Sequence, residues 1–307
     1  MSASTVPVQV VAPRRPVRFH SGRFVKVALV TAIMTVIALV VIFPIVWILL
    51  ATTKDNRQLF FLGAFSVPAD ISLGSNVSRA FRTDGGILIY WLLNSVGYAA
   101  VISVGSTYLA TLAGYAVAKL KFPGHRVFTA TIVGSLMVPS AVLVIPLYIL
   151  EDRLHIVNSY EGVILPLLLS TFAVFFMMVY LNDALPDVLI EAAQVDGAGH
   201  WRIFHRIALP MAKPGLATLV LISFIGTWNN YFLPYVLLSN EKLFPVTVGL
   251  DYWLGTVSAS GAAPAGDVVY PDIIVGVAIA VIPILLLFPL LSRYVARGLS
   301  LGAVAGE

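Results

Sequence analysis

Along the chain, apolar and polar positions separate into six long apolar runs divided by shorter polar stretches. The runs cover about 24–50, 87–118, 127–150, 162–181, 216–238 and 272–291. The hydrocarbon core of a bilayer is about 30 Å thick and an α-helix rises about 1.5 Å per residue, so roughly 20 apolar residues cross it. Each run reaches that length. No acid or base lies at the centre of a run, and Lys26, near the start of the first, can carry its amine to the interface. The pattern predicts an all-α polytopic membrane protein with six transmembrane helices. The first run is too long for a signal peptide, contains Pro44 and is followed by no small-residue cleavage pattern, so it is expected to be a retained helix.

Composition narrows the class. The chain has 307 residues, 59% of them hydrophobic and 11% charged, where soluble domains carry about 25% charged residues. A soluble enzyme domain and a disordered chain are both excluded. There is no cysteine, hence no disulfide, thiolate metal site or cysteine nucleophile. Seven prolines fall inside the runs: Pro44, Pro139, Pro146, Pro166, Pro234, Pro283 and Pro289. Each removes a backbone donor and bends its helix. A bundle around a cavity tolerates this, and prolines are also common in membrane helices generally.

Charge sets the orientation. With the N-terminus in the cytoplasm, 13 of the 19 Lys and Arg residues fall on the inside, which favours both termini inside. The inside then carries a net charge of +8 and the outside −4, within a total of +4. The basic balance is therefore topological and does not point to nucleic acid. Residues 1–23 are expected to be a disordered cytoplasmic tail, 24–294 the six-helix domain and 295–307 a cytoplasmic C-terminal tail. The outer loops are about 51–86, 151–161 and 239–271.

The segment between the fourth and fifth runs, 183–212, is the most informative. Pro186 suits a first helical turn and Asp187 complements the helix dipole. A short helix is expected to run to about Asp196, where Gly197 can take the left-handed conformation that ends it. A second is expected from His200 to Leu209, stopped by Pro210. Val188, Leu189, Val195, Trp201, Ile203, Phe204 and Ile207 give this loop more apolar surface than water favours, which marks a partner site.

Glu191-Ala192-Ala193, then Gly197, Ile207, Leu209 and Pro210 at their spacings, resemble the signature of membrane subunits of ATP-binding-cassette (ABC) importers. Asp196-Gly197-Ala198, Trp228-Asn229-Asn230-Tyr231 and Lys119-Leu-Lys-Phe-Pro-Gly124 make the chain similar to carbohydrate-uptake permeases of the maltose-transporter type, specifically the second, six-span subunit. The resemblance covers nearly everything after about residue 24. It implies the type I importer permease fold in the bacterial cytoplasmic membrane, with a helix pair that docks in a cleft of a cytoplasmic ATPase. Its implied partners are a second homologous permease, two ATPase subunits that hold ATP and Mg, an extracytoplasmic solute-binding protein and a sugar. No cofactor is expected on this chain itself, which has no phosphate-binding Gly-x-x-x-x-Gly-Lys-Ser/Thr loop.

Polar groups inside spans are costly, so Asn94, Trp228, Asn229, Asn230 and Tyr231 are candidate pathway residues. Amides and aromatic rings suit the hydroxyls and C–H faces of a neutral sugar, and equally suit hydrogen bonding between helices. By resemblance, the outer loop bearing Tyr252 and Trp253 contacts the binding protein; an interfacial loop is the alternative. The histidines lie in tails and loops. His200 and His205 are five apart, which is not the spacing of a helical zinc pair, and both are expected to be solvated or near headgroups. Import of another solute, such as glycerol phosphate or a peptide, is the runner-up. A secondary transporter would need buried acids within the spans for ion coupling, and no run has one at its centre.

Overall fold

The structure, a computed structural model, describes residues 21–120, 122–259 and 268–303, with side chains over 26–120, 122–259, 268–287 and at Pro289. Most of the expected tail 1–23 and the end of the chain, 304–307, lie outside these residues. The chain falls into two units, 1–47 and 48–307. The first contains most of α1 (Ser21–Ala51), a helix with Pro44 inside it whose Lys26–Ala51 stretch is long and apolar enough to cross a membrane.

In the second unit, two short helices, α2 (Asn56–Phe61) and α3 (Leu73–Ala80), precede the 33-residue α4 (Ile87–Lys119). Then follow α5 (His125–Ser135), α6 (Ser140–Arg153), α7 (Tyr160–Leu168) and α8 (Thr171–Ala184). The hairpin consists of α9 (Asp187–Val195) and α10 (His200–Met211). It leads into α11 (Lys213–Trp228), α12 (Phe232–Leu237), α13 (Val246–Ala259) and α14 (Tyr270–Ala303). The described residues contain no strand.

Besides α1, the stretches Thr83–Lys119, Tyr160–Ala184 and Tyr270–Leu287 meet the length and apolarity of a span. Two further candidates are bent pairs: α5 with α6 at 105°, and α10 with α11 at 78°. Among the described residues the fold thus offers four crossings, or up to six when each bent pair counts as one. The first bend lies at Pro139, which turns the preceding residue away from helix. The fifth apolar run, expected as one helix over 216–238, is interrupted between Trp228 and Phe232. There the Asn229 amide bonds back to the Ile225 carbonyl at 2.9 Å and the Asn230 N–H to Thr227 at 3.1 Å, closing the turn early. The last helix continues to Ala303, through residues expected to form a tail.

α4 is the axis of the packing, running along α8 and α11, while α11 runs along α14. Its buried face is Trp91, Ser95, Tyr98, Ile102, Ser106, Ala110 and Gly114, at helical spacing. Small residues toward its end let backbones meet. A Cβ on Gly114 would lie 2.8 Å from the Met178 backbone nitrogen of α8. At one end, Trp91, Trp228, Val246, Trp253 and Ile273 form one apolar core. At the other, Tyr115, Met177, Tyr180 and Leu181 pack with Ile190, Ile203 and Phe204 of the hairpin.

Among the described residues, Asp272 and Lys54 are buried charged side chains with hydrogen-bond partners. Asp272 is fully buried and accepts from Arg79 Nε at 2.8 Å, from Thr83 Oγ1 at 3.2 Å and from the Val269 N–H. Lys54, only 2% exposed, donates to the carbonyls of Gly63 at 2.8 Å and Ala64 at 3.0 Å. Each charge meets oriented partners, as burial demands.

Candidate functional site

The hairpin α9–α10 contains the seven signature residues. Pro186 supplies the extended residue that opens α9, and Asp187 stands in its first turn. At the far end Gly197 has φ +78, a left-handed conformation that costs other L-residues roughly 1–2 kcal/mol. Its N–H reaches the Gln194 carbonyl at 3.0 Å, and that of Ala198 reaches Ala193 at 2.9 Å. These two bonds form a Schellman closure, with Ala193 and Ala198 half-buried against it. No atom lies within 4 Å of a Cβ placed on Gly197, so the backbone, not space, requires glycine there.

α10 was expected to stop before Pro210. Instead it runs on to Met211, and the chain turns only before Lys213. The helix absorbs the proline by widening into π turns over Phe204–Ala208, with the Leu209 N–H bonded to the Phe204 carbonyl. Pro210 has no N–H for the Arg206 carbonyl, and the wider turn relieves the ring's clash with it.

The hairpin is fixed to the bundle. Ile203, Phe204 and Ala208 are buried, as is Ile190. Burying Ile203 and Phe204 stabilises the contact by about 1.5–3 kcal/mol each. Phe204 packs its ring 5.5 Å from Tyr115 of α4. Lys119 at the end of α4 pairs with Asp187 at 2.8 Å and also donates to the Asn182 carbonyl. His205, expected in solvent, bonds through Nδ1 to the Trp201 carbonyl at 3.0 Å and through Nε2 to the Tyr108 hydroxyl at 3.2 Å. His125, at the start of α5, is bonded to the Val117 carbonyl.

The opposite face of the hairpin is bare. Val188 is 72% exposed, Val195 88% and Trp201 64%. Glu191, Ala192, Asp196 and Pro210 are exposed, and Ile207 and Leu209 are half-buried. Between α9 and the end of α4 lies an open cavity of about 790 Å³ lined by Lys119, His125, Arg126, Asp187, Glu191 and His200 among others.

The span residues divide. Asn94, at 8% exposure, donates to the Lys242 and Phe244 carbonyls at 2.7 and 3.1 Å and accepts from the Tyr160 hydroxyl at 3.0 Å. Its amide is fully engaged in packing. Trp228 is buried and donates to the Ala280 carbonyl at 3.1 Å. Asn229 is exposed, while Asn230 and Tyr231 are half-exposed beside the interruption. Tyr231 donates to Asp251 of α13 at 2.8 Å and stacks on Tyr235 at 5.2 Å.

On α13, Tyr252 is 42% exposed and Trp253 is fully buried. The Trp253 ring meets Trp91 edge-on at 4.8 Å. A hydrogen bond to Glu241, helped by burial, raises the pKa of the Tyr252 phenol. The two neighbours therefore differ in role: Trp253 anchors the helix and Tyr252 offers a surface. Residues 260–267, the small-residue tip of this loop, lie outside the described residues.

Asp251, Thr247, Asp272 and Arg79 were not singled out by sequence. Partners 17, 20 or 193 positions apart leave no spacing signal; the only hint was the rarity of acids near apolar runs.

A bundle of broken spans, without strands among the described residues and with a signature hairpin at one end, defines a transport subunit. Residues 106–301 match the family described as "Binding-protein-dependent transport system inner membrane component", and the chain belongs to that family. It is thus a multi-pass protein of the cytoplasmic membrane. The arabinooligosaccharides transport system permease protein AraQ of Bacillus subtilis is 30% identical over 94% of this chain and 99% of that protein. The diacetylchitobiose uptake system permease protein NgcG of Streptomyces coelicolor is 29% identical over 88% and 86%. The sn-glycerol-3-phosphate transport system permease protein UgpE of Yersinia pestis is 32% identical over 85% and 91%. A chain of a bacterial ABC transporter involved in the import of the acidic polysaccharide alginate shares the fold. Its TM-score is 0.77 at 24% identity, over 92% of this chain and all of that one.

Proposed function

We propose that this chain is one of two permease subunits of an ABC importer for a di- or oligosaccharide, delivered by an extracytoplasmic binding protein. It crosses the membrane six times with both termini in the cytoplasm. Two cytoplasmic ATPase subunits, holding ATP and Mg, drive transport, and one of them engages the α9–α10 hairpin. The observation that carries this reading is the hairpin itself: a Schellman-closed turn, glued to α4 and α8 on one side and bare and apolar on the other. Such a lever passes motion from a docked partner into the spans without dissipating it. Glu191, beside the bare face, can add a charge-assisted contact to a donor on the ATPase, and Ile207, Leu209 and Pro210 hold the elbow into α11.

Asn229, Asn230 and Tyr231 are the span residues best placed to meet sugar. The relatives named for arabinooligosaccharide and diacetylchitobiose transport support a sugar. The absence of a charged residue from the centres of the apolar runs makes glycerol phosphate the weaker reading.

The test is uptake by the assembled complex in proteoliposomes. Gly197→Val forces a β-branched residue into a left-handed backbone and is expected to cut ATP-driven uptake more than tenfold, or to prevent ATPase association. Full uptake with normal association would reject the hairpin's role. Uptake of labelled glycerol phosphate without uptake of labelled oligosaccharides would reject the sugar.

A further inference from the structure

The interruption of the fifth span is held from outside that span. Pro234 has no N–H, so the Asn230 carbonyl four residues earlier has no helical donor. Thr247 Oγ1 donates to it at 3.0 Å. One residue on, the Tyr231 hydroxyl donates to Asp251 Oδ2 at 2.8 Å. Thr247 and Asp251 are four apart on α13 and therefore share a face. Another face of α13 is locked to α4. The Val246 N–H donates to Ser95 Oγ at 2.7 Å, and a Cβ on Gly249 would lie 2.1 Å from the Trp91 ring. A third part of its surface, with Tyr252 and Leu254, is exposed. One rigid helix therefore has an outward surface and a two-point grip on the broken span.

We propose that Thr247 and Asp251 are positioning residues, a clip through which engagement of the binding protein by α13 moves the interrupted segment Asn229–Tyr231. This rests on the importer reading above and adds to it a route between two sites. The clip suits that task because both grips attach to one rigid element, and because one of them takes the Asn230 carbonyl that Pro234 leaves without a helical donor. Coupling between sites needs such an element with a separate hold on each.

The experiment uses the complex in nanodiscs with the binding protein that co-purifies with it. ATPase stimulation by that protein and its affinity for the complex are both measured. Thr247→Val and Asp251→Ala are each expected to lower stimulation about tenfold, within the usual range of coupling between sites, with affinity and unstimulated hydrolysis unchanged. Asp251→Asn, which keeps an acceptor, and Thr247→Ser, which keeps the hydroxyl, are expected to retain most of the stimulation. Tyr231→Phe combined with Asp251→Ala should reduce stimulation no further than either alone. Unchanged stimulation in Asp251→Ala and Thr247→Val would overturn the clip. So would a loss in Asp251→Ala that is entirely a loss of affinity, since Asp251 would then be a docking contact. A wild-type complex that no binding protein stimulates would overturn the importer reading, and the clip with it.

Discussion

Glu151 and Asn94 show how differently two buried polar residues can be served. Asn94 has three partners, and both halves of its amide are matched. Glu151, at 2% exposure, has neither carboxylate oxygen hydrogen-bonded, and Oε2 lies 2.9 Å from where a Cβ on Gly162 would stand. A buried charge without a donor destabilises the fold unless it is neutralised. Glu151→Gln keeps the shape and removes the charge, and is expected to stabilise by about 1 kcal/mol, read as a higher midpoint of thermal unfolding in detergent. A lower midpoint would show that a donor reaches the carboxylate. At this scale the sequence was an uneven guide. Gly197 was legible because a left-handed turn has few solutions. Asn94 was ambiguous, because a span asparagine can face a neighbour or a pathway and only its partners decide. Trp253 and Tyr252 are adjacent and look alike in sequence, yet the helical turn sends one into Trp91 and the other outward.

Among the elements, prolines marked only some of the breaks. Pro139 does sit at a sharp bend, but Pro146, Pro166 and Pro283 lie inside helices, and Pro210 sits in a helix that widens around it. At the interruptions Leu169–Ser170 and Asn229–Tyr231, polar side chains also satisfy the backbone locally. Ser170 caps the Ala173 N–H, and Asn229 bonds back to Ile225. In a run read for apolarity such residues are easily passed over, because one serine or asparagine barely changes the mean. The close approach of α4 to α8 was equally hidden, since it depends on which side of α4 Gly114 faces. Gly114→Val is expected to push the helices apart and cost about 1–3 kcal/mol or more, the usual range for overpacking. Loss of assembled protein on size-exclusion chromatography checks this, and wild-type behaviour would mean that α8 can move aside.

For the whole molecule, the apolar runs gave the class of protein directly, because bilayer thickness fixes span length. The hairpin signature gave the family. The tertiary pairs were not legible: Arg79 and Asp272 come from segments before the second span and at the start of the last, and Lys54 closes on its own loop. The engagement of Lys54 has a chemical consequence. An ammonium buried and committed to two carbonyls is a poor nucleophile toward acylating reagents. Of the two lysines in segments assigned to the outside, Lys242 is exposed. A membrane-impermeant amine reagent applied to intact cells is therefore expected to modify Lys242 and leave Lys54 untouched, with peptide mass spectrometry as the readout. Modification of Lys213 from outside would reverse the assigned sidedness. Within that assignment Lys54 acts as a built-in reporter: the rate at which it acquires label measures how often the loop from Lys54 to Ala64 opens.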